Sequence, residues 1–363
     1  MKIVIRAGGT GTRLWPMSRQ ANPKQFQAIV GEESMIKMTY DRVLAAVSGP
    51  VDIFVSINQA MMSVLRESLP DIVDANIITE TESRNTGPAM CLEVCFLAAV
   101  CDNDEVIVSV PSDDFISDAD AFRNLLKLSE EFLQSQPDYI LTPAVRPAYL
   151  DTGYSYFKAG ENLLSNDGEE KIFKVAEVAE KPDEKRCGEM IESGEYYCHT
   201  GMYIWRLGYI KQLFQDLQPE MTGVCEEIVA LMKAGNAEQK ITELYGTLEK
   251  MSIESAITDK APKLAMSVSV NLGWSDLGKW HIIKRMLLAD ETSNLTKGRV
   301  VAHNANNNLI YTTDAKKVVV VNDLHDLIVV DTPEGLFISS SAKSADVKEC
   351  VGEIREKGWE ECL

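Results

Sequence analysis

The chain has 363 residues, 55 of them acidic and 36 basic, for a formal net charge of −19. With 45% hydrophobic and 25% charged residues it can bury a sizeable core, which excludes a disordered chain, and at about 150 residues per domain its length fits two domains. So acidic a field excludes nucleic acid and anionic membrane surfaces as bulk partners.

The N-terminal apolar run is too short for a signal-peptide core. Lys2–Arg6 reads as a short strand ending at Ala7-Gly8-Gly9. A helix over 35–47, capped by Ser34, precedes a strand over 51–57. Segment 59–69 reads as helical and 76–79 as extended. The helix over 87–101 is apolar on nearly all faces and therefore buried; interrupted by Glu93, its apolar stretch is too short to span a bilayer. A strand over 105–110 ends at Pro111-Ser112-Asp113-Asp114, followed by a helix over 121–135 and a strand over 138–143. This βαβ rhythm implies an α/β fold with a mainly parallel sheet covered on both faces, whose ligands bind outside the carboxyl ends of the strands. The glycine turn at 8–13 and the Asp113 turn both fall at such ends.

From 151 to 205 the strands are longer and interrupted by polar residues. Helices follow at 206–217, 222–234 and 238–245, then a strand from 264 running into Gly273-Trp274-Ser275-Asp276 and a helix-like segment over 277–289. Beyond 291, β runs recur at Val300, Leu309, Val318, Leu327 and Leu336, about 9–10 residues apart, a period suited to hairpins or a small β-solenoid. A last helix puts Val347, Cys350, Val351 and Ile354 on one face. The expected division is a catalytic domain over 1–292 and a small β-solenoid-like domain with a terminal helix over 293–363. The eight cysteines form no C-x-x-C pair and several lie in apolar runs, the pattern of reduced thiols in a cytoplasmic protein; four histidines without a Cys/His cluster argue against zinc.

The first 31 residues carry five basic side chains (Lys2, Arg6, Arg13, Arg19, Lys24) and no acidic one, a local inversion of sign. It coincides with the turn Ala7-Gly8-Gly9-Thr10-Gly11-Thr12-Arg13. Glycines let backbone N–H groups approach a phosphate, and Arg13 adds a charged fork. The dinucleotide spacing fails because Leu14 fills the last glycine position, and the P-loop pattern is absent.

The run Ala7 to Leu14 continued by Trp15-Pro16-Met17-Ser18-Arg19, with Pro23-Lys24-Gln25-Phe26, resembles the signature of sugar-phosphate nucleotidyltransferases, and more narrowly that of mannose-1-phosphate guanylyltransferases. The resemblance recurs at Ser83-Arg84-Asn85-Thr86-Gly87-Pro88-Ala89, Pro111-Ser112-Asp113, Thr152-Gly153-Tyr154, Glu180-Lys181-Pro182, Thr200-Gly201-Met202 and Gly273-Trp274-Ser275-Asp276-Leu277-Gly278. It implies a Rossmann-like mixed sheet of the nucleotide-diphospho-sugar transferase type, and transfer of GMP from GTP to mannose 1-phosphate with Mg²⁺, yielding GDP-mannose and pyrophosphate. Gly8, Gly9, Gly11, Thr12 and Ser112 would hold the nucleotide, with Arg13 on its phosphates and Lys24 toward the reacting phosphate. Lys181 would clamp the sugar phosphate, and Asp113 and Asp276 would hold the metal. Gly153, Glu180, His199 and Thr200 would face the sugar, and Arg84, Asn85 and Thr86 the guanine. A homodimer through the β unit is also implied.

Ordinary structural roles compete with these. Lys24 could be a surface turn residue, Asn85-Thr86 a helix cap, Asp113-Asp114 a turn, Asp276 a cap, and Glu180-Lys181 an exposed ion pair. Trp15 and Trp274 suit packing, and Cys91 with Cys95 suits the core. The chain departs from the family pattern at Asp114 (usually His), His199 (usually Asn), Leu150-Asp151 (usually Pro-Glu) and Arg6 (usually apolar), and is expected to lack the isomerase domain of longer bifunctional relatives. Another sugar 1-phosphate or base, and a catalytically weak nucleotide-sugar-binding regulatory protein, stand as alternatives. A nicotinamide dehydrogenase is disfavoured by the failed glycine spacing.

Overall fold

The computed structural model describes residues 1–9, 11–166, 169–235 and 237–363; Thr10 and the side chain of Thr12 lie outside the described residues. By compactness the chain divides into one unit of Met1–Gly8 with Lys37–Ser275 and another of Gly9–Ile36 with Asp276–Leu363.

The first unit is built on a mixed sheet of ten strands among the described residues. Its parallel part is β1 (Lys2–Arg6), β2 (Ile53–Asn58), β3 (Ile77–Glu80) and β4 (Val106–Pro111), in the order β3-β2-β1-β4. The connections carry α1 (Met35–Leu44), α2 (Met62–Ser68) and α3 (Thr86–Ala98). The inner strands β1, β2 and β4 are near-continuous aliphatic runs, as burial on both faces requires, while the edge strand β3 alternates.

After β4 come a two-residue strand, β5 (Phe115–Ile116), α4 (Ala119–Ser135) and β6 (Ile140–Val145). The N-cap of α4 is Asp118, whose carboxylate accepts from the backbone of Asp120 and Ala121. The polar-interrupted region forms β7 (Ser155–Ser165), β8 (Lys171–Glu180), α5 (Glu184–Ser193), β9 (Tyr196–His199) and β10 (Tyr203–Arg206). The consecutive strands β7 and β8 pair antiparallel, and so do the non-consecutive pairs β7 with β9 and β10 with β4. Three helices follow, α6 (Leu207–Leu217), α7 (Pro219–Ala234) and α8 (Glu238–Gly246), then β11 (Leu264–Val268), parallel to β6, and β12 (Trp274–Ser275), paired with β5.

The all-apolar helix is α3. Met90, Cys91, Leu92, Val94, Cys95 and Leu97 pack with Trp205, Phe214, Cys225 and Ile228 in one core. Cys91 and Cys95 are core residues, and burial pushes both thiols up, at Cys95 together with its bond to Cys91.

In the second unit α9 (Trp280–Leu287) is followed by β13 (Asn294–Lys297), β14 (Val300–His303), β15 (Asn308–Thr312), β16 (Val319–Asn322), β17 (Leu327–Asp331) and β18 (Leu336–Ser340), and α10 (Val347–Glu356) ends the regular structure. Strands β13, β15 and β17 stack in parallel, as do β14 and β16, which is a solenoid. The 9–10-residue spacing is half a coil from β14 onward, where aligned residues stand 19 apart (His303 meets Asn322 and Thr312 bonds Asp331), whereas β13 and β15 align 14 apart. Successive coils turn the same way, with Asn304, Asn307, Asp323 and Asp326 all at positive φ.

Trp15 is core here. Its indole donates to the Cys362 carbonyl at 2.7 Å and its own carbonyl accepts from the Trp280 indole at 3.1 Å.

Candidate active site

In the second unit the glycine turn folds onto the Pro23-Lys24-Gln25-Phe26 block. Gly11 has φ 53°, and a Cβ there would stand 3.1 Å from the Lys24 Cβ and 3.0 Å from the Ser18 hydroxyl, so the backbone can adopt this path only without a side chain. Gln25 donates to the Gly9 carbonyl at 3.2 Å. Lys24 is only 5% exposed, not a surface turn residue, and its ammonium donates to the Asp276 carbonyl. The Asp276 carboxylate accepts from the Gly278 N–H at 3.1 Å. A Cβ on Gly278 would meet Asp276 Oδ2 at 2.9 Å and the Arg13 guanidinium at 3.4 Å. Gly9, Gly11, Arg13, Lys24 and Asp276, drawn from both ends of the sequence, thus gather in one unit.

In the first unit Asp113 follows β4 at the carboxyl end of the parallel sheet, partly exposed. Its turn is fixed by backbone: the Ser112 N–H donates to the Arg6 carbonyl at 3.0 Å, and Thr39 donates to the Ser112 carbonyl at 3.2 Å. The Ser112 hydroxyl is buried without a partner among the described residues. Asp114 is buried and accepts from the Trp274 indole at 2.8 Å. Arg42 donates to its carbonyl and has its own pKa lowered to about 10, by burial against the opposing pull of Asp114. The extra negative charge at the family's histidine position is therefore held by these partners.

The Trp274 ring meets Tyr154 edge-on at 5.7 Å, linking the Asp113 turn to the Gly153 loop. Asp151, at the family's glutamate position, is buried and caps the Gly153 N–H at 2.8 Å. Glu180 ends β8 and accepts from Lys181 at 2.8 Å and from the Ser155 hydroxyl. Both side chains of the Glu180–Lys181 pair are more than half exposed, at 56% and 65%, so the pair by itself adds little stability and leaves the ammonium accessible. His199 lies between Phe157 and Tyr203, with ring centroids 5.0 and 5.1 Å away, and burial pushes its pKa down to about 4, so it is neutral at ordinary pH. Thr200 is turned inward, its hydroxyl donating to the Pro143 carbonyl at 2.7 Å, and it braces the turn between β9 and β10.

Gly8 stands at the end of β1, exposed. Arg84 donates to the Leu248 carbonyl at 3.0 Å and to Glu82 at 2.8 Å, Asn85 caps α3, and the Thr86 hydroxyl accepts from the Ile253 N–H. The cap role holds, and the Arg84 guanidinium is occupied in bracing the segment 248–253.

Residues 2–293 match the family model described as nucleotidyl transferase. The chain belongs to the nucleotidyl transferase family. It is a nucleotidyltransferase by that membership. Residues 298–354 match a second model, described as MannoseP isomerase/GMP-like beta-helix domain, which corresponds to the coils described above. Among curated relatives, the mannose-1-phosphate guanylyltransferase RfbM of Salmonella typhimurium is 32% identical over 97% of this chain and 72% of its own length. The alginate biosynthesis protein AlgA of Pseudomonas aeruginosa is 30% identical over 99% of this chain and 73% of its own. The crystal structure titled mannose-1-phosphate geranyltransferase from Thermus thermophilus shares the fold, with a TM-score of 0.82 over 98% of this chain and 99% of that one at 23% identity.

Sequence patterns alone miss other polar residues of the first unit. Glu80 ends β3, and its carboxylate lies 3.4 Å from where a Cβ on Gly8 would be; burial raises its pKa, opposed by the Tyr245 hydroxyl bonded at 2.8 Å. The strand-end rule that picks out Asp113 applies equally to Glu80. Glu254 opens a π-helical turn and accepts from the Tyr203 hydroxyl at 2.5 Å, and its charge is felt by His199 and Lys181. No spacing signal marks that relation.

Proposed function

We propose that this nucleotidyltransferase transfers GMP from GTP to mannose 1-phosphate, releasing pyrophosphate and forming GDP-mannose. The observation that carries the reading is the buried Lys24 bonded to the Asp276 carbonyl, with Arg13 and the Asp276 carboxylate flanking Gly278: fixed positive charge beside a hard oxygen ligand, at a glycine turn. The guanylyltransferase relatives, at 30–32% identity, support the choice of GTP and mannose.

A sugar 1-phosphate has a second pKa near ~6, so it is already a dianionic nucleophile at neutral pH and requires no general base. Its oxygen forms a bond to the α-phosphorus as the bond to the bridging oxygen of the β-phosphate breaks, and pyrophosphate carries away the electron pair. The difficulty is repulsion between polyanions, which positioning and positive charge overcome. Arg13 and Lys24 hold the nucleotide phosphates in this reading, with Gly8, Gly9 and Gly11 giving close backbone approach. Lys181 takes the sugar phosphate, and Glu180, Gly153 and neutral His199 face its hydroxyls. Among the described residues no group of three His, Cys, Asp or Glu side chains could hold a metal. The family resemblance assigns Mg²⁺ to the carboxylates of Asp113 and Asp276, hard oxygen ligands of the kind that bind it together with substrate phosphates. Mg²⁺ held there would neutralise charge on the phosphate oxygens.

The test is pyrophosphate release across a panel of nucleoside triphosphates and sugar 1-phosphates. GTP with mannose 1-phosphate is expected to be the best pair; preference for another sugar or base would overturn the substrate assignment. Self-association through the coil is supported by Val301 and Val320, 50% and 63% exposed on paired strands; light scattering that returns the mass of one chain would refute it.

A further inference from the structure

An arginine on the innermost part of a parallel sheet is costly unless its donors are met. Arg6 is the last residue of β1, flanked by β2 and β4, and both terminal nitrogens of its guanidinium donate hydrogen bonds. One nitrogen donates to the Ser109 hydroxyl of β4 at 2.6 Å, and another to the Gly201 carbonyl at 2.5 Å. Ser109 in turn donates to Glu93 of α3 at 3.3 Å. Glu93 is 2% exposed, the one charged residue in the apolar face of that helix, and its other carboxylate oxygen is buried without a partner among the described residues. Arg6 and Glu93 therefore belong to one bridge, Gly201–Arg6–Ser109–Glu93, buried at its Ser109–Glu93 end and running across β1, β4, α3 and the turn between β9 and β10.

That turn carries His199 and Thr200. Gly201 has φ 75°, a conformation open to glycine, and Thr200 fixes the other side of the turn to Pro143, so Arg6 is a second fastening point on this three-residue turn. We propose that Arg6, held by Ser109 and Glu93, is a positioning residue for the sugar phosphate, acting through the Gly201 carbonyl to set where His199 stands. The proposal rests on reading that turn as part of the sugar site. Arg6 also precedes the glycine turn by two residues, so a role on the nucleotide side is the competing outcome, and kinetics separate the two.

The experiment measures KM for mannose 1-phosphate and for GTP, with kcat, in Arg6→Met, Arg6→Lys and Glu93→Gln. Arg6→Met is expected to raise KM for mannose 1-phosphate about tenfold or more while KM for GTP stays within about twofold, because misplacing a substrate contact is costly even without removing it. Arg6→Lys, which keeps a donor, recovers part of the loss, and Glu93→Gln gives a smaller shift of the same kind. Equal rises in both KM values, or a rise for GTP alone, overturn the proposal. Where Arg6→Met does not fold, Arg6→Lys and Glu93→Gln decide by the same split. Wild-type protein that turns over no mannose 1-phosphate would instead sink the reading of the sugar site, whereas wild-type turnover with unshifted variants would sink the proposal alone.

Discussion

The glycine-turn cluster and the sugar-side cluster are assembled by different means. In the former, Lys24 and Arg13 reach Asp276 and Gly278 through motifs that are each contiguous in sequence, and backbone atoms supply much of the bonding. In the latter, the Asp113 turn and the strands flanking His199 are tied to side chains far apart in sequence: Trp274 bonds Asp114, Arg6 bonds the Gly201 carbonyl and Glu254 accepts from Tyr203. The contrast teaches that the residues proposed for the phosphates are held within local motif blocks, while those proposed for the sugar depend on side-chain bonds that cross the fold.

The sharpest break of that contrast is at the phosphate cluster. Lys24→Ala is expected to lower kcat by about 10²–10³-fold, the range for removing one fixed charge-stabilising donor, with the fold intact by circular dichroism. A loss no larger than that of a sugar-side variant would erase the distinction. Next in size, Lys181→Ala should raise KM for the sugar phosphate by ~10–100-fold without changing nucleotide binding, since its side chain is exposed and supports little structure; calorimetry with GTP and mannose 1-phosphate separately would show which ligand suffers.

Much of this was readable from residues. The βαβ rhythm located the parallel strands because aliphatic runs and turn residues are local signals, and the 9–10-residue period announced the coils. The motif blocks also pointed to Lys24 and Asp276. The place of Arg84 in a block says nothing about the Leu248 carbonyl that it bonds, nor that of Thr200 about the Pro143 carbonyl. Glu93 looked like a mere interruption of an apolar helix, and only the fold brings Ser109 and Arg6 to it. Interactions that cross the sheet have no period to betray them.

Two smaller effects sharpen the comparison on the stability side. Arg84→Ala should cost about 1–3 kcal/mol through the uncovered Leu248 carbonyl while leaving KM for GTP nearly unchanged; denaturant titration and kinetics together check this. Burial lifts the Glu93 carboxyl from 4.5 to about 7, opposed by Arg6. A raised carboxyl pKa means folding takes up a proton between those values, so the contribution of Glu93 is greatest below pH 4.5 and is lost as pH rises through about 7. Melting temperatures of wild type and Glu93→Gln, measured from pH 5 to 8, should diverge in favour of the variant as pH rises, and parallel curves would refute the buried carboxyl.

The central claim is the proposed nucleotidyl transfer from GTP to mannose 1-phosphate, with Lys24 and Asp276 among the residues that carry it. It is tested most directly by pyrophosphate release from wild type, Lys24→Ala and Asp276→Ala with that substrate pair and Mg²⁺. Rapid release in wild type that is abolished in both variants is the predicted result; no release from wild type with any triphosphate and sugar phosphate, despite measurable nucleotide binding, would contradict it.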